Sequence, residues 1–150
     1  MLIGATANTI DEKGRLTLAA KWRTELASGV VITRGVEKCL FIFPKNQFEK
    51  IALELANQGI ELSFVRAFAR HLAAMAEYAE LDKNGRINLP QNLCRFADLN
   101  NAVTVVGIIN CLEVWNPQTL AEINSQAEQN VNAVAEKYGR LIRHTAQNTP

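Results

Sequence analysis

The chain has 150 residues, 48% hydrophobic and 21% charged, with a formal net charge of only +1. That length suits one compact domain, or two very small halves that share a core. The near-neutral balance excludes diffuse attraction to nucleic acid or to an anionic membrane, so any such binding needs cations concentrated locally. The first residues, Met-Leu-Ile-Gly-Ala-Thr-Ala-Asn, lack the basic and apolar regions of a signal peptide. No apolar run approaches the ~18 residues that span a bilayer. Cys39, Cys94 and Cys111 are widely spaced with no CxxC pair, which points away from a disulfide framework or a zinc site. The expectation is a reduced, cytosolic protein whose cysteines are mostly small buried hydrophobes.

The first element in chain order is a turn. Ile10 precedes Asp11-Glu12-Lys13-Gly14-Arg15, and Leu16 and Leu18 follow with Thr17 between them. The Asp side chain can bond its own downstream backbone, and Gly supplies a position with φ > 0. The flanking alternation predicts a half-buried hairpin. A short polar helix over 21–26 comes next, then a β-rich run at 30–33, a glycine-bearing turn and a strand at 39–43. Pro44 is suited to the first turn of a following helix. Val65, Phe68, Leu72 and Met75 recur at helical spacing, which predicts linking helices up to about Tyr78.

The chain then repeats itself. Leu81-Asp82-Lys83-Asn84-Gly85-Arg86-Ile87-Asn88-Leu89 answers residues 10–18, with Asp82 lying 71 positions after Asp11. Cys111-Leu112-Glu113-Val114-Trp115 answers Cys39-Leu40-Phe41-Ile42-Phe43, and Gly107 answers Gly35, now at an offset of 72. Two blocks in the same order at nearly the same spacing mark an internal duplication. The second copy offers segments at 93–99, 103–106 and 112–115. A last helix is expected over about 118–143, with Asn116 as its N-cap and Pro117 in its first turn. A disordered tail is expected over 145–150. A half-module this small buries little surface alone, so the two copies are expected to interleave into one domain.

The doubled Asp-x-x-Gly-Arg turn, with Cys39-Leu40-Phe41-Ile42-Phe43-Pro44 and Phe64-Val65-Arg66-Ala67-Phe68-Ala69-Arg70, resembles the MraZ family over residues 3–143. That family belongs to the AbrB/SpoVT/MazE-like group. The resemblance implies an α+β fold with a mainly β core: two AbrB-like half-modules forming one double-split, swapped-hairpin barrel, with a linking helix and a C-terminal helix. The implied divisions are repeat 1 at 5–47, a linking helical segment at 48–75, repeat 2 at 76–119, and a C-terminal helix and tail at 120–150. It further implies a cytoplasmic, nucleoid-associated transcription regulator that forms a closed ring. Such a ring binds short direct repeats in double-stranded promoter DNA upstream of the division and cell-wall gene cluster. Carried over by motif, the DNA-binding residues are Lys13 and Arg15 in the first copy and Lys83 and Arg86 in the second. Asp11, Gly14, Asp82 and Gly85 hold the turns. Lys13 aligns with Asn84 and Lys83 with Glu12, so the copies do not present identical cations.

Each of these features also has a structural reading. Asp and Arg four places apart can pair simply to hold a turn. Arg66 and Arg70 read as a solvated or interfacial helix face. Lys137, Arg140 and Arg143 read as dipole partners near a helix C-terminus. Trp22 and Trp115 read as core or interface anchors. His71 and His144 are the only histidines. No nucleophile–base–orienter order, HExxH or phosphate loop accompanies them, so neither an enzyme nor a cofactor is expected. The competing function is a ring-shaped scaffold for protein partners. A short antitoxin-like regulator with one motif per chain fits less well, because this chain carries the motif twice.

Overall fold

The computed structural model describes the backbone of residues 1–147 and the side chains of residues 1–140. The chain divides into two compact units, 1–117 and 118–150. The first unit holds β1 (Leu2–Thr9), β2 (Arg15–Thr17), α1 (Ala20–Leu26), β3 (Val30–Arg34), β4 (Leu40–Pro44), α2 (Lys45–Asn57) and α3 (Ser63–Ala73). These are followed by β5 (Glu77–Ala79), β6 (Arg86–Asn88), α4 (Gln91–Phe96), β7 (Ala102–Ile109) and β8 (Leu112–Trp115). The described residues of the second unit form one helix, α5 (Pro117–Gln147), whose first residue belongs to the end of unit 1. Among the described residues, no helix is long and apolar enough to cross a membrane.

Pairing is dominated by contacts between the two copies. The large sheet runs β1-β7-β8-β4-β3-β5, and β2 pairs with β6 in a separate two-stranded ribbon. Under the repeat, β1 corresponds to β5, β3 to β7 and β4 to β8. The sheet order is therefore the same read from either end. Ladders β1–β7, β2–β6, β3–β5 and β4–β8 all join one copy to the other. Only β3–β4 and β7–β8 lie within a copy. The expected interleaving is thus present. The sheet ends at β1 and β5 with no ladder joining them, so it is an α+β fold with a mainly β core and an open sheet.

The hairpin expected around the first turn is not the arrangement found. Ile10 meets Leu16 through a single bridge, while β1 spends its eight residues on β7 and β2 goes to β6. A three-residue strand gains little from its own neighbour. Leu16 reaches full burial instead by facing Ile87 of the other copy.

Matched glycines permit the closest approaches. Gly4 and Gly107 are ladder partners, and a Cβ on Gly107 would lie 2.6 Å from the Leu2 carbonyl carbon. Its counterpart Gly35 is crowded from within its own copy, since a Cβ there would lie 2.9 Å from the Cys39 carbonyl oxygen. This is the physical reason for a glycine at the same place in both copies.

The core cluster gathers Leu16, Leu18, Trp22 and Leu26 from the first copy with their counterparts Ile87, Leu89, Leu93 and Ala97. Trp22 is buried and donates Nε1–H to the Ile3 carbonyl at 3.0 Å. Trp115 is buried and donates Nε1–H to Glu113 Oε2 at 2.8 Å. Both tryptophans are therefore anchors within the fold. Cys39 and Cys111 are buried and Cys94 is half-buried, all as free thiols. Burial pushes the Cys111 thiol up to about 12 and raises Cys39 as well.

Two expectations about the helices need correcting. The linking segment ends at Ala73, because the chain is needed as strand β5 at 77–79; Met75 and Tyr78 therefore lie outside any helix. On α3 the expected helical spacing is found; Val65 and Leu72 are buried there and Phe68 is exposed. The final helix continues to Gln147, past the expected end at 143. That leaves Lys137 and Arg140 more than a turn before its C-terminus, so the dipole gives them little. The rest of the predicted tail, 148–150, lies outside the described residues.

Candidate nucleic-acid interface

Both Asp-x-x-Gly-Arg turns adopt one geometry. Asp11 Oδ1 accepts the backbone N–H groups of Lys13 and Arg15, each at 2.9 Å, and Oδ2 accepts Arg15 Nε at 2.7 Å. Asp82 Oδ1 accepts the N–H groups of Asn84 and Arg86 at 2.9 Å, and Oδ2 accepts Arg86 Nε at 2.7 Å. Gly14 and Gly85 stand at φ 79 and 73, in the region that favours glycine. The carbonyl of each glycine accepts an N–H from the opposite copy: Leu89 donates to Gly14 at 2.8 Å, and Leu18 to Gly85 at 2.9 Å. Each turn is therefore fixed by its own aspartate and clasped by the other copy.

The arginines project from the ribbon between the turns. Its register pairs Arg15 with Asn88, Leu16 with Ile87 and Thr17 with Arg86. Side chains alternate along a strand, so Leu16 and Ile87 face inward and are buried, while the other four share the outer face. Arg15 and Arg86 are diagonal neighbours on that face, about 7–8 Å apart by ladder geometry. Each uses Nε on its aspartate. Among the described residues, neither Nη group has a protein partner, so the forked end is available for a planar acceptor pair. The pair is partly exposed, with side chains at 32% for Arg15 and 38% for Asp11. Its own worth to stability is therefore small, and its effect is to orient the guanidinium.

The site residues expected from sequence fall into two groups. Arg15, Arg86 and their aspartates and glycines come together on the ribbon and its two ends. Lys13 and Lys83 lie in the exposed turns at those opposite ends. Asn88 and Thr17 were not singled out, although the alternation Arg-Ile-Asn and Arg-Leu-Thr places them beside the arginines. Asn88 is exposed opposite Arg15, and its side-chain amide can donate to the Lys13 and Gly14 carbonyls of the first turn, at 3.1 and 3.3 Å. Arg66 and Arg34 turn elsewhere. Arg66 Nη1 donates to the carbonyls of Ile60 and Glu61, and Arg34 donates to His71 and Arg70 carbonyls. His71 Nε2 lies 2.7 Å from the Gly35 carbonyl. The side chain of His144 is outside the described residues.

Comparison with known proteins agrees with this doubled architecture. A family model described as "MraZ protein, putative antitoxin-like" matches the chain twice, over residues 1–71 and 72–141. The chain belongs to the MraZ family. Among its relatives is "Transcriptional regulator MraZ" of Thermobifida fusca (strain YX), 39% identical over 91% of this chain and 96% of that protein. A second, of the same description, comes from Roseiflexus castenholzii (strain DSM 13941 / HLO8). It is 36% identical over 94% of this chain and 99% of its own length.

The turns carry a pH signature. Hydrogen bonds from the backbone N–H of Arg15 hold the Asp11 carboxyl below its ordinary 3.8, with the Arg15 side chain and the Lys13 N–H adding to the effect. Asp82 is lowered in the same way, first by the backbone N–H of Arg86. A folded value below the unfolded one stabilises fully above the unfolded range, and the contribution is lost as pH falls through the folded value. Neutral pH should therefore leave the turns closed. The amides of Lys13, Arg15, Asn84 and Arg86 should titrate together with midpoints below 3.8. NMR titration checks this, and midpoints at or above the ordinary carboxylate value would contradict the turn geometry.

Proposed function

We propose that this protein is a sequence-specific DNA-binding transcription regulator that acts as a closed ring. The observation that carries the reading is the outer face of the β2–β6 ribbon, where two arginines with free Nη groups are held by identical turns. A two-stranded ribbon fits the ~12 Å major groove, and arginine matches the O6/N7 edge of guanine bidentately. Arg15 and Arg86 would read bases or grip phosphate, and Lys13 and Lys83 would add phosphate contacts. Asp11, Gly14, Asp82 and Gly85 would keep the turns in place. The names of the relatives support transcription regulation as the class of function.

On this reading the repeats at 5–47 and 76–119 are two half-modules that complete each other in the swapped-hairpin manner. The segments at 48–75 and 120–150 connect and extend them. Similar surfaces from two similar halves favour head-to-tail contacts, which close into a ring when the rotation permits. Each subunit then offers one small ribbon, and several ribbons in succession raise the overall affinity by ~10² or more. The protein would act in the cytoplasm at the nucleoid, and repress by occupying the promoter of the division and cell-wall gene cluster.

Light scattering at micromolar concentration is expected to give a ring of more than four subunits. Footprinting on the protein's own upstream DNA should reveal direct repeats about one helical turn, ~10 bp, apart. A monodisperse monomer or dimer contradicts the ring, and a single inverted repeat contradicts ring-ordered contact. A ring with no affinity for that DNA would favour the scaffold reading.

A further inference from the structure

The two turns differ in what lies beside them. Arg23 and Cys94 hold the same place in their copies, the fourth residue of α1 and of α4. Arg23 lies against Gly85 so closely that a Cβ there would collide with its guanidinium. Arg23 Nε donates to the Leu18 carbonyl at 2.9 Å. At the other turn, the nearest atom to a Cβ on Gly14 is an Asn88 side-chain atom at 3.4 Å, and the Leu89 carbonyl is 3.6 Å away. Leu89 is the counterpart of Leu18. Among the described residues no donor reaches its carbonyl. Beside the short Cys94 side chain is an open cavity of about 560 Å³, lined by Asp11, Glu12, Lys13, Asn88, Leu89 and Cys94 among others.

We propose that this cavity is a guanidinium-binding site, the vacant counterpart of the seat that Arg23 fills at the Gly85 turn. The chemistry of the walls matches such a ligand. The Leu89 carbonyl offers the acceptor that Leu18 offers to Arg23. Gly14, with no Cβ, leaves room for a planar group up to the Asn88 side-chain amide, which lies 3.4 Å from where a Cβ would stand. At the rim Asp11 and Glu12 stand against Lys13, one negative charge in surplus, where the corresponding Asp82, Lys83 and Asn84 of the second copy balance. A planar fork suits this arrangement better than a compact, strongly hydrated ammonium. The occupant is either a free guanidino compound or an arginine side chain of a second copy of this chain.

Cys94 reports on its own cavity. Alkylation of the native protein with iodoacetamide, read by peptide mass spectrometry, separates Cys94 from the buried Cys39 and Cys111. Burial raises the Cys94 thiol, so the reaction is run at mildly alkaline pH. Methylguanidinium should slow Cys94 alkylation about fivefold at roughly four times its dissociation constant. Methylammonium at equal ionic strength should slow it less. Protection that appears only on adding methylguanidinium assigns the seat to a free compound. Protection present beforehand and lost on dilution assigns it to a second copy. Equal rates in both cations at every concentration below unfolding, with no change on dilution, overturn the proposal. Cys94→Arg supplies an independent check. It should raise the melting temperature and seat the new guanidinium against Gly14 with a bond to the Leu89 carbonyl. A side chain turned to solvent with no rise in melting temperature would count against the site. Neither experiment uses DNA, so its failure leaves the DNA reading standing.

Discussion

The double variant Arg15→Ala, Arg86→Ala is expected to lose operator binding while its fold and assembly persist. Each arginine that reads a base should contribute about 1–3 kcal/mol of discrimination, and each loss recurs in every subunit of a ring. The turn itself should survive. Asp11 Oδ1 bonds the N–H groups of Lys13 and Arg15, and those bonds need no guanidinium. The exposed Asp–Arg pair adds little to stability. Lys13→Ala should behave differently, because a phosphate contact weakens all DNA alike and lowers the salt slope by about one counterion. Gel shifts on operator and random DNA across a salt series, with melting temperature measured beside them, separate the two roles. A folded, assembled double variant that binds the operator with wild-type affinity would sink the assignment.

The repeat was legible because its chemistry is local. Asp, Gly and Arg at fixed spacing make the same turn wherever they occur, and Asp11 and Asp82 do so with matching bond lengths. Alternation placed Leu16 and Ile87 inward correctly, and the apolar runs at 30–33 and 112–115 became strands. What stayed hidden was non-local. Nothing within residues 2–18 says that β1 will prefer β7 over β2, because the choice depends on Val103 and Val105 some hundred residues away. β5 was hidden for a related reason. Glu-Tyr-Ala is too short to show a period, and its strand state is imposed by Val30–Ile32 alongside it. On α3 the 3.6 period located the helix, but it could not tell that Phe68 would remain exposed.

The same contrast marks the candidate site. The motif identified Arg15 and Arg86 one by one. Their placement on one face follows only from the β2–β6 register, which neither copy contains alone. Asn88 gains its interest solely by standing opposite Arg15. Arg23 is likewise visible in the sequence as one more cation. Only packing shows it pressed on the other copy's glycine.

Leu16→Ala is expected to be the most damaging single substitution at the ribbon, and to unfold both copies together. Leu16 is fully buried and Ile87 opposite it is 1% exposed. Removing a buried leucine side chain costs about 2–5 kcal/mol, through lost transfer energy and the cavity left behind. A domain of this kind holds about 5–15 kcal/mol in total, so the variant should sit near the edge of stability. The cross-copy ladders leave no half able to keep its sheet without the other. Denaturation of the 1–117 unit should therefore remain one transition, shifted to lower denaturant with an unchanged slope. Ile87→Ala should cost a similar amount. Because the two side chains touch the same space, the double variant should cost less than the two single losses combined, with a coupling of about 0.5–3 kcal/mol. Protein concentration must be held fixed, since assembly adds to apparent stability by mass action. Two separated transitions, one for each copy, would show that the halves fold independently and would contradict the interleaved core.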